Sequence, residues 1–257
     1  ERTSAFVRRA SFEGERFVAD ALAANIDVVF IVHALGKPPN QRRLERELVL
    51  AFDSGAQPVV LMTKVDLVPD PEPARAELAA VALGVPVLLA SGIDGTGVRQ
   101  VHEFAAGHKT LAFLGASGVG KSTLVNALLD ADVMDTGAVR HADHRGRHTT
   151  VAAQLLPLPG GGWLIDTPGV RAVSLWLSGH GIERAFRDVF DLMDHCRFRD
   201  CKHDREPGCA VRDAIERGEL DPARLSSLER LVAEEAALEA EQTRQARLAD
   251  KRGARRR

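Results

Sequence analysis

The sequence is short of several things, and each shortage removes a class of answers. No apolar run approaches the roughly 20 residues that a membrane-crossing helix needs, so no transmembrane span is expected and the cytoplasm is the expected setting. Neither sign of charge dominates. The formal net charge is −2 over 257 residues, so a basic surface does not by itself announce a nucleic-acid partner. Cysteine is sparse: three residues, an odd number that cannot pair completely, all lie between Cys196 and Cys209. In a reducing compartment that spacing favours a metal over disulfides. Hydrophobic residues make up 45% and charged residues 27%, which excludes disorder throughout and suits a globular protein of one large or two modest domains. The chain begins at Glu1, and "ERTSAFVRRA" offers no obvious helix start, so an upstream piece is expected to be missing.

What is present is an alternation. Short apolar runs stand at 26–33, 58–62, 86–90, 110–115, 152–158 and 162–166, and the first four are separated by helix-like segments such as "NQRRLERELVLAFDSG" at 40–55. This pattern predicts an α/β fold with a mostly parallel sheet and helices on both faces. Beyond about residue 180 the strand signal ends. A Cys/His-rich knot follows, then a long Ala/Glu/Arg-rich helix that runs into the basic "DKRGARRR". That tail reads equally well as an attractor of RNA phosphates and as a solvated helix end.

The segment Gly115-Ala116-Ser117-Gly118-Val119-Gly120-Lys121-Ser122, followed by Thr123, fits G-x-x-x-x-G-K-[ST] between a strand and a helix. Such glycines let backbone N–H groups curl around phosphates, the lysine reaches the β and γ phosphates, and the serine can hold Mg²⁺. Gly115, Ser117, Gly118, Val119, Gly120, Lys121, Ser122 and Thr123 are therefore candidate nucleotide-binding residues. Asp166-Thr167-Pro168-Gly169 follows a strand and supplies the second half of such a site, an aspartate facing Mg²⁺ and a glycine N–H able to meet the γ-phosphate.

A phosphate loop alone does not choose the base. Thr63-Lys64-Val65-Asp66 closes the strand "PVVLM", at the sheet edge where ligands of open α/β folds bind. Asp66 there can accept from both N1–H and N2–H₂ of guanine, donors that adenine lacks, while the Lys64 stem packs along the base. Ordinary GTPases carry Asn where this chain has Thr63, a change expected to loosen the loop's ties to its neighbours. Ser91 and Gly92 resemble the short Ser-Ala segment that backs the guanine. Both guanine loops precede the phosphate loop, the reverse of the ordinary order, which predicts a circularly permuted P-loop GTPase domain. The short join "GHK" at 107–109 would link the former ends, and the switch after Asp166 would run directly into the C-terminal domain.

These motifs, with "GRHTT", "LIDTPGV" and "CRFRDCKHDREPGCAV", resemble the circularly permuted, ribosome-small-subunit-dependent GTPases (RsgA/YjeQ) over nearly the whole chain. The resemblance implies a linker remnant at 1–20 left from an absent OB-fold, a GTPase domain at 21–178, and a small helical zinc-binding domain with a basic tail at 179–257. It implies GTP and GDP as ligands, hydrolysis of GTP to GDP and phosphate, the small ribosomal subunit and its rRNA as partners, and a monomer without membrane attachment. Cys196, Cys201, His203 and Cys209 become ligands of one structural Zn²⁺, with His195 left outside the set. Thr150 joins Ser122 as an Mg²⁺ ligand. The residue after the Asp-Thr-Pro-Gly glycine, which usually positions the attacking water, is Val170 and cannot hydrogen-bond. His148 is the candidate for that catalytic role. Two alternatives remain: a permuted GTPase of large-subunit assembly, and a zinc-dependent RNA-binding switch with little turnover.

Overall fold

The computed structural model describes residues 4–9, 19–134, 154–166 and 179–254. They fall into two compact units, the first reaching through the strands up to 166 and the second beginning at 179.

In the first unit, Val28–Ala34 forms β3, preceded by β1 (Ala5–Arg9) and β2 (Ala19–Ala24). Strand β3 is almost wholly apolar and all but its last residue is buried, as a strand covered on both faces must be. It pairs in parallel with β4 (Gln57–Thr63) on one side and β6 (Thr110–Gly115) on the other. With β5 (Val87–Ala90), β7 (Gln154–Pro157) and β8 (Trp163–Asp166) the sheet order is β5-β4-β3-β6-β8-β7. Only β7 runs antiparallel, paired to β8. The mostly parallel α/β sheet expected from the alternating pattern is therefore present.

Helices α1 (Gln41–Asp53), α2 (Glu72–Ala82), α3 (Val98–Glu103) and α4 (Lys121–Leu129) cover the sheet. Asn40 starts α1 by accepting from the Arg43 N–H at 3.0 Å, which satisfies a donor the first turn would otherwise leave open. Phe30 anchors the core, stacked on Phe113 with centroids 5.3 Å apart and edge-on to Phe104 at 5.5 Å. Around it pack Val28, Val32, Val59, Leu61, Leu111, Leu124 and Leu164. Removing such a ring by Phe→Ala costs about 3–5 kcal/mol in a core of this kind.

Strands β1 and β2 form an antiparallel ribbon, and the Ala5 N–H donates to the Ser54 carbonyl at the end of α1. Part of the stretch expected to be linker, residues 1–20, thus lies in strand. The alanine-rich segment "ADALAA" has little β propensity to reveal this.

The second unit is helical: α5 (Gly179–Ala185), α6 (Arg187–Met193), α7 (Ala210–Glu216) and the 33-residue α8 (Pro222–Ala254). Ile182, Phe186, Val189, Val211, Leu228 and Leu231 form its core. Arg224 is the buried charge among them. Its guanidinium grips Asp188 through two hydrogen bonds, at 3.0 and 3.1 Å, donates to the Ala185 carbonyl and lies 4.2 Å over the Phe186 ring. No helix among the described residues is long and apolar enough to cross a membrane.

Candidate functional site

Parallel pairing brings the carboxyl ends of β4, β5 and β6 to one edge of the sheet, and the candidate loops leave from there. The loop 115–120 joins β6 to α4 with no intervening structure. Gly115 has to be glycine because a Cβ would stand 2.6 Å from the Val32 carbonyl oxygen of the neighbouring strand. The Lys121 ammonium donates to the carbonyls of Gly115, at 2.8 Å, and Ala116, so its charge sits across the mouth of the loop. Ser122 and Thr123 follow in the first turn of α4, where backbone N–H groups face the loop.

Thr63 ends β4 and is buried. Its hydroxyl donates to the Val119 carbonyl in the phosphate loop, with the His33 carbonyl 3.3 Å away. The expected loosening at this position is thus offset by a bond that the threonine makes itself. Lys64 adopts a left-handed conformation, φ 63°, which turns its stem toward the loop: Lys64 Cε would lie 3.8 Å from a Cβ on Gly120. The short 3₁₀ turn Val65–Leu67 then presents Asp66 to solvent. A carboxylate there is free to accept from a purine edge.

Ser91 is fully buried and shapes the loop after β5, its Oγ accepting from the N–H groups of Ile93 (3.1 Å) and Asp94 (3.3 Å). Asp94 closes the same loop by accepting from the Thr96 N–H at 2.9 Å, a bond that holds its carboxyl below the usual range. Gly92 lies against α4: a Cβ would be 2.8 Å from backbone atoms of Thr123 and Leu124. An alanine does not fit there. The departure from Ser-Ala is therefore a packing requirement of this chain, invisible in a motif comparison.

The structure brings Thr63, Lys64, Ser91, Gly92 and the residues 115–123 to one edge. Asp166 is the last residue of β8, beside β6, although its side chain is not among those described. His148, Thr150, Gly169 and Val170 lie outside the described residues. One positioning residue had no sequence signal. Buried Asn126 accepts from the N–H groups of Val133 and Met134 and donates to the Met134 carbonyl at 2.9 Å, fixing the chain where it leaves α4.

The second unit holds a separate cluster. Cys196, Cys201, His203 and Cys209 place their ligand atoms within 4.8 Å of one another. Cys196 Sγ is 3.6 Å from His203 Nδ1 and 4.0 Å from Cys209 Sγ, and His203 Nδ1 is 3.4 Å from Cys209 Sγ. A tetrahedron with bonds of about 2.3 Å to sulfur and 2.0 Å to nitrogen has edges of roughly 3.5–3.8 Å, so the residues fit Zn²⁺. Burial pushes the Cys201 thiol up to about 11, against the lowering effect of the His203 N–H and with the thiols of Cys209 and Cys196 adding to the rise. A bound Zn²⁺ would supply the positive charge that lets thiols this close to one another ionise together. His195 instead bonds the Asp191 carbonyl through Nδ1 at 2.7 Å and stays outside.

The comparisons with known proteins agree with this geometry. A family model described as RsgA GTPase matches residues 1–176. A protein of Opitutus terrae named small ribosomal subunit biogenesis GTPase RsgA is 45% identical over 91% of this chain and 64% of its own length; one of the same name from Streptomyces coelicolor is 46% identical over the same shares. The chain thus spans about 64% of the length of these relatives. Among solved structures, YjeQ from Thermotoga maritima superposes with a TM-score of 0.61 at 26% identity, covering 92% of this chain and 76% of that one. YloQ, described as a circularly permuted GTPase, gives the same TM-score over 83% of this chain and 69% of that one. The fold is accordingly a circularly permuted GTPase domain followed by a helical region whose Cys₃His cluster can bind zinc, and the chain belongs to the RsgA GTPase family.

Proposed function

We propose that the protein hydrolyses GTP to GDP and phosphate as a late maturation and checkpoint factor of the small ribosomal subunit, with turnover stimulated by that subunit. The observation that carries this is the joint placement of two loops: the guanine-type loop 63–66 and the phosphate loop 115–122 share a sheet edge and are tied by Thr63 and Val119. The names carried by the relatives support the ribosomal role.

In this reading Asp66 selects guanine, Lys64 and the Ser91-Gly92 loop flank the base, and the N–H groups of 115–123 with Lys121 hold the phosphates. Ser122 and Thr150 would hold Mg²⁺, which supplies charge neutralisation between the β and γ phosphates. Asp166 and Gly169 would meet the metal and the γ-phosphate, and His148 would orient the attacking water in place of Val170. The division at residue 178 separates this machinery from a zinc domain that folds around Cys196, Cys201, His203 and Cys209. The protein acts in the cytoplasm as a monomer, with rRNA as the surface it docks on.

The test is single-turnover GTP hydrolysis with purified small or large subunits. Stimulation by small subunits alone is expected. Equal stimulation by large subunits, or none by either, overturns the reading.

A further inference from the structure

The loop between the second and fourth cysteine-cluster ligands has an organiser of its own. Glu206 bends back over the segment before it: Oε1 accepts from the Lys202 N–H at 2.8 Å, and Oε2 accepts from the N–H groups of Asp204 and Arg205, each at 3.1 Å. Lys202 and Asp204 are the immediate neighbours of His203. His203 itself has φ 58°, a left-handed conformation uncommon for a residue with a side chain, and in it Nδ1 approaches the thiols of Cys196 and Cys209. The carboxylate therefore holds the peptide unit that follows this strained ligand and, on its other side, the N–H of the residue before it. From the other side Arg212, on α7, donates to the Asp204 carbonyl at 2.6 Å, and the Arg197 N–H donates to the Gly208 carbonyl at 3.0 Å. The N–H groups, that of Lys202 foremost, hold the Glu206 carboxyl down to about 2, so it stays an acceptor at every pH at which the protein is handled.

We propose that Glu206 is a positioning residue of the Cys₃His centre, keeping His203 in the left-handed conformation that directs its Nδ1 toward the three thiols. The carboxylate touches no ligand atom and acts through the backbone. This rests on the reading of the cluster as a zinc site. Metal centres commonly depend on such outer partners, whose loss weakens metal affinity by roughly 10–100-fold. A glutamine at 206 keeps one acceptor oxygen but turns an NH₂ toward N–H donors, so it opens the clamp while preserving size.

The experiment is a double-mutant cycle on the full chain, read as zinc affinity by competition with a chromophoric chelator and as the absorption spectrum of the Co²⁺-loaded protein. Glu206→Gln should weaken zinc binding by roughly 10–100-fold. His203→Ala should weaken it as well, and Glu206→Gln added to His203→Ala should have no further effect, because the glutamate acts through the histidine. The Co²⁺ spectrum of Glu206→Gln should shift toward that of His203→Ala. If Glu206→Gln is not recovered folded, Glu206→Asp, whose carboxylate is one methylene too short to span the three N–H groups, is read in the same cycle. Zinc binding by the wild type with an unchanged affinity in Glu206→Gln overturns the role of Glu206 alone, as does an equal loss on Glu206→Gln with and without His203. A wild-type chain that binds neither metal overturns the zinc reading and this inference together.

Discussion

The hydroxyl of Thr63 donates to the carbonyl of Val119, so the loop after β4 is fastened to the loop before α4 although β3 lies between their strands. The two halves of the proposed nucleotide site are thereby one mechanical piece. Thr63→Val removes the donor at nearly constant shape. A net hydrogen bond of about 0.5–1.5 kcal/mol predicts GDP and GTP affinity weakened roughly 2- to 12-fold. Thr63→Asn should restore most of it. Titration of a fluorescent guanine nucleotide decides, and unchanged affinity in Thr63→Val would assign the tie to geometry alone.

The close approach of Gly92 to α4 carries a second expectation. Gly92→Ala places a methyl 2.8 Å from the Thr123 and Leu124 backbone, so either the Ser91 loop or the first turn of α4 must move. Overpacking of this kind costs about 1–3 kcal/mol. Both thermal stability and guanine-nucleotide affinity should fall, as scanning calorimetry and nucleotide titration would report. A variant with wild-type values for both would contradict the packing argument.

In the proposed reading base choice rests on Asp66, exposed in its turn. The protein should prefer guanine to adenine nucleotides, and Asp66→Asn should move that preference toward xanthine nucleotides, whose O2 replaces the N2 donor. Competition binding with the three nucleotides measures this. Equal affinity of the unmutated chain for ATP and GTP would end the guanine assignment.

His148 is expected to orient the attacking water, since Val170 can neither donate nor accept. His148→Ala should leave GTP affinity nearly unchanged and lower subunit-stimulated turnover by roughly 10²–10⁴-fold. Thr150→Ala should differ by weakening Mg²⁺-dependent binding of GTP relative to GDP. Single-turnover rates with saturating small subunits are the measurement, and wild-type rates in His148→Ala would move the catalytic role to another group.

In the helical unit the Arg224 clamp should govern stability independently of metal. Arg224→Ala leaves Asp188 half-buried without its bidentate partner and uncovers Phe186, a loss of about 3–5 kcal/mol. Denaturant unfolding followed by helical circular dichroism should show it with zinc bound and with zinc chelated. Equal stability of variant and wild type would show the pair to be offset by its desolvation.

Much of this was legible in the sequence because the relevant signals are local. Runs such as "IDVVFIVH" and the glycine pattern of 115–120 report what a few consecutive residues can do with their own backbone. The cysteine cluster was legible for the same reason, its ligands all falling between 196 and 209. The ribbon β1–β2 was not, since the five-residue "AFVRR" and the alanine-rich "ADALAA" carry no pattern that distinguishes them from a linker. The bond from Thr63 to Val119 is not legible in the sequence because the two residues lie 56 apart in the chain. Nothing in the local sequence marks Glu206, and only the directions of three N–H groups reveal what its carboxylate holds.

By itself the sequence determined the kind of chemistry: which residues can accept from guanine, wrap phosphates or ligate zinc, and that the loops occur in permuted order. The tertiary structure alone decided how those residues are held. Whether Thr63 reaches Val119, whether Gly92 leaves room for α4, and whether His203 is kept in a left-handed conformation all depend on side-chain and backbone positions set by packing. A motif specifies atoms that can bond, whereas a bond needs those atoms within about 3 Å and correctly aimed, and chain folding alone brings them there.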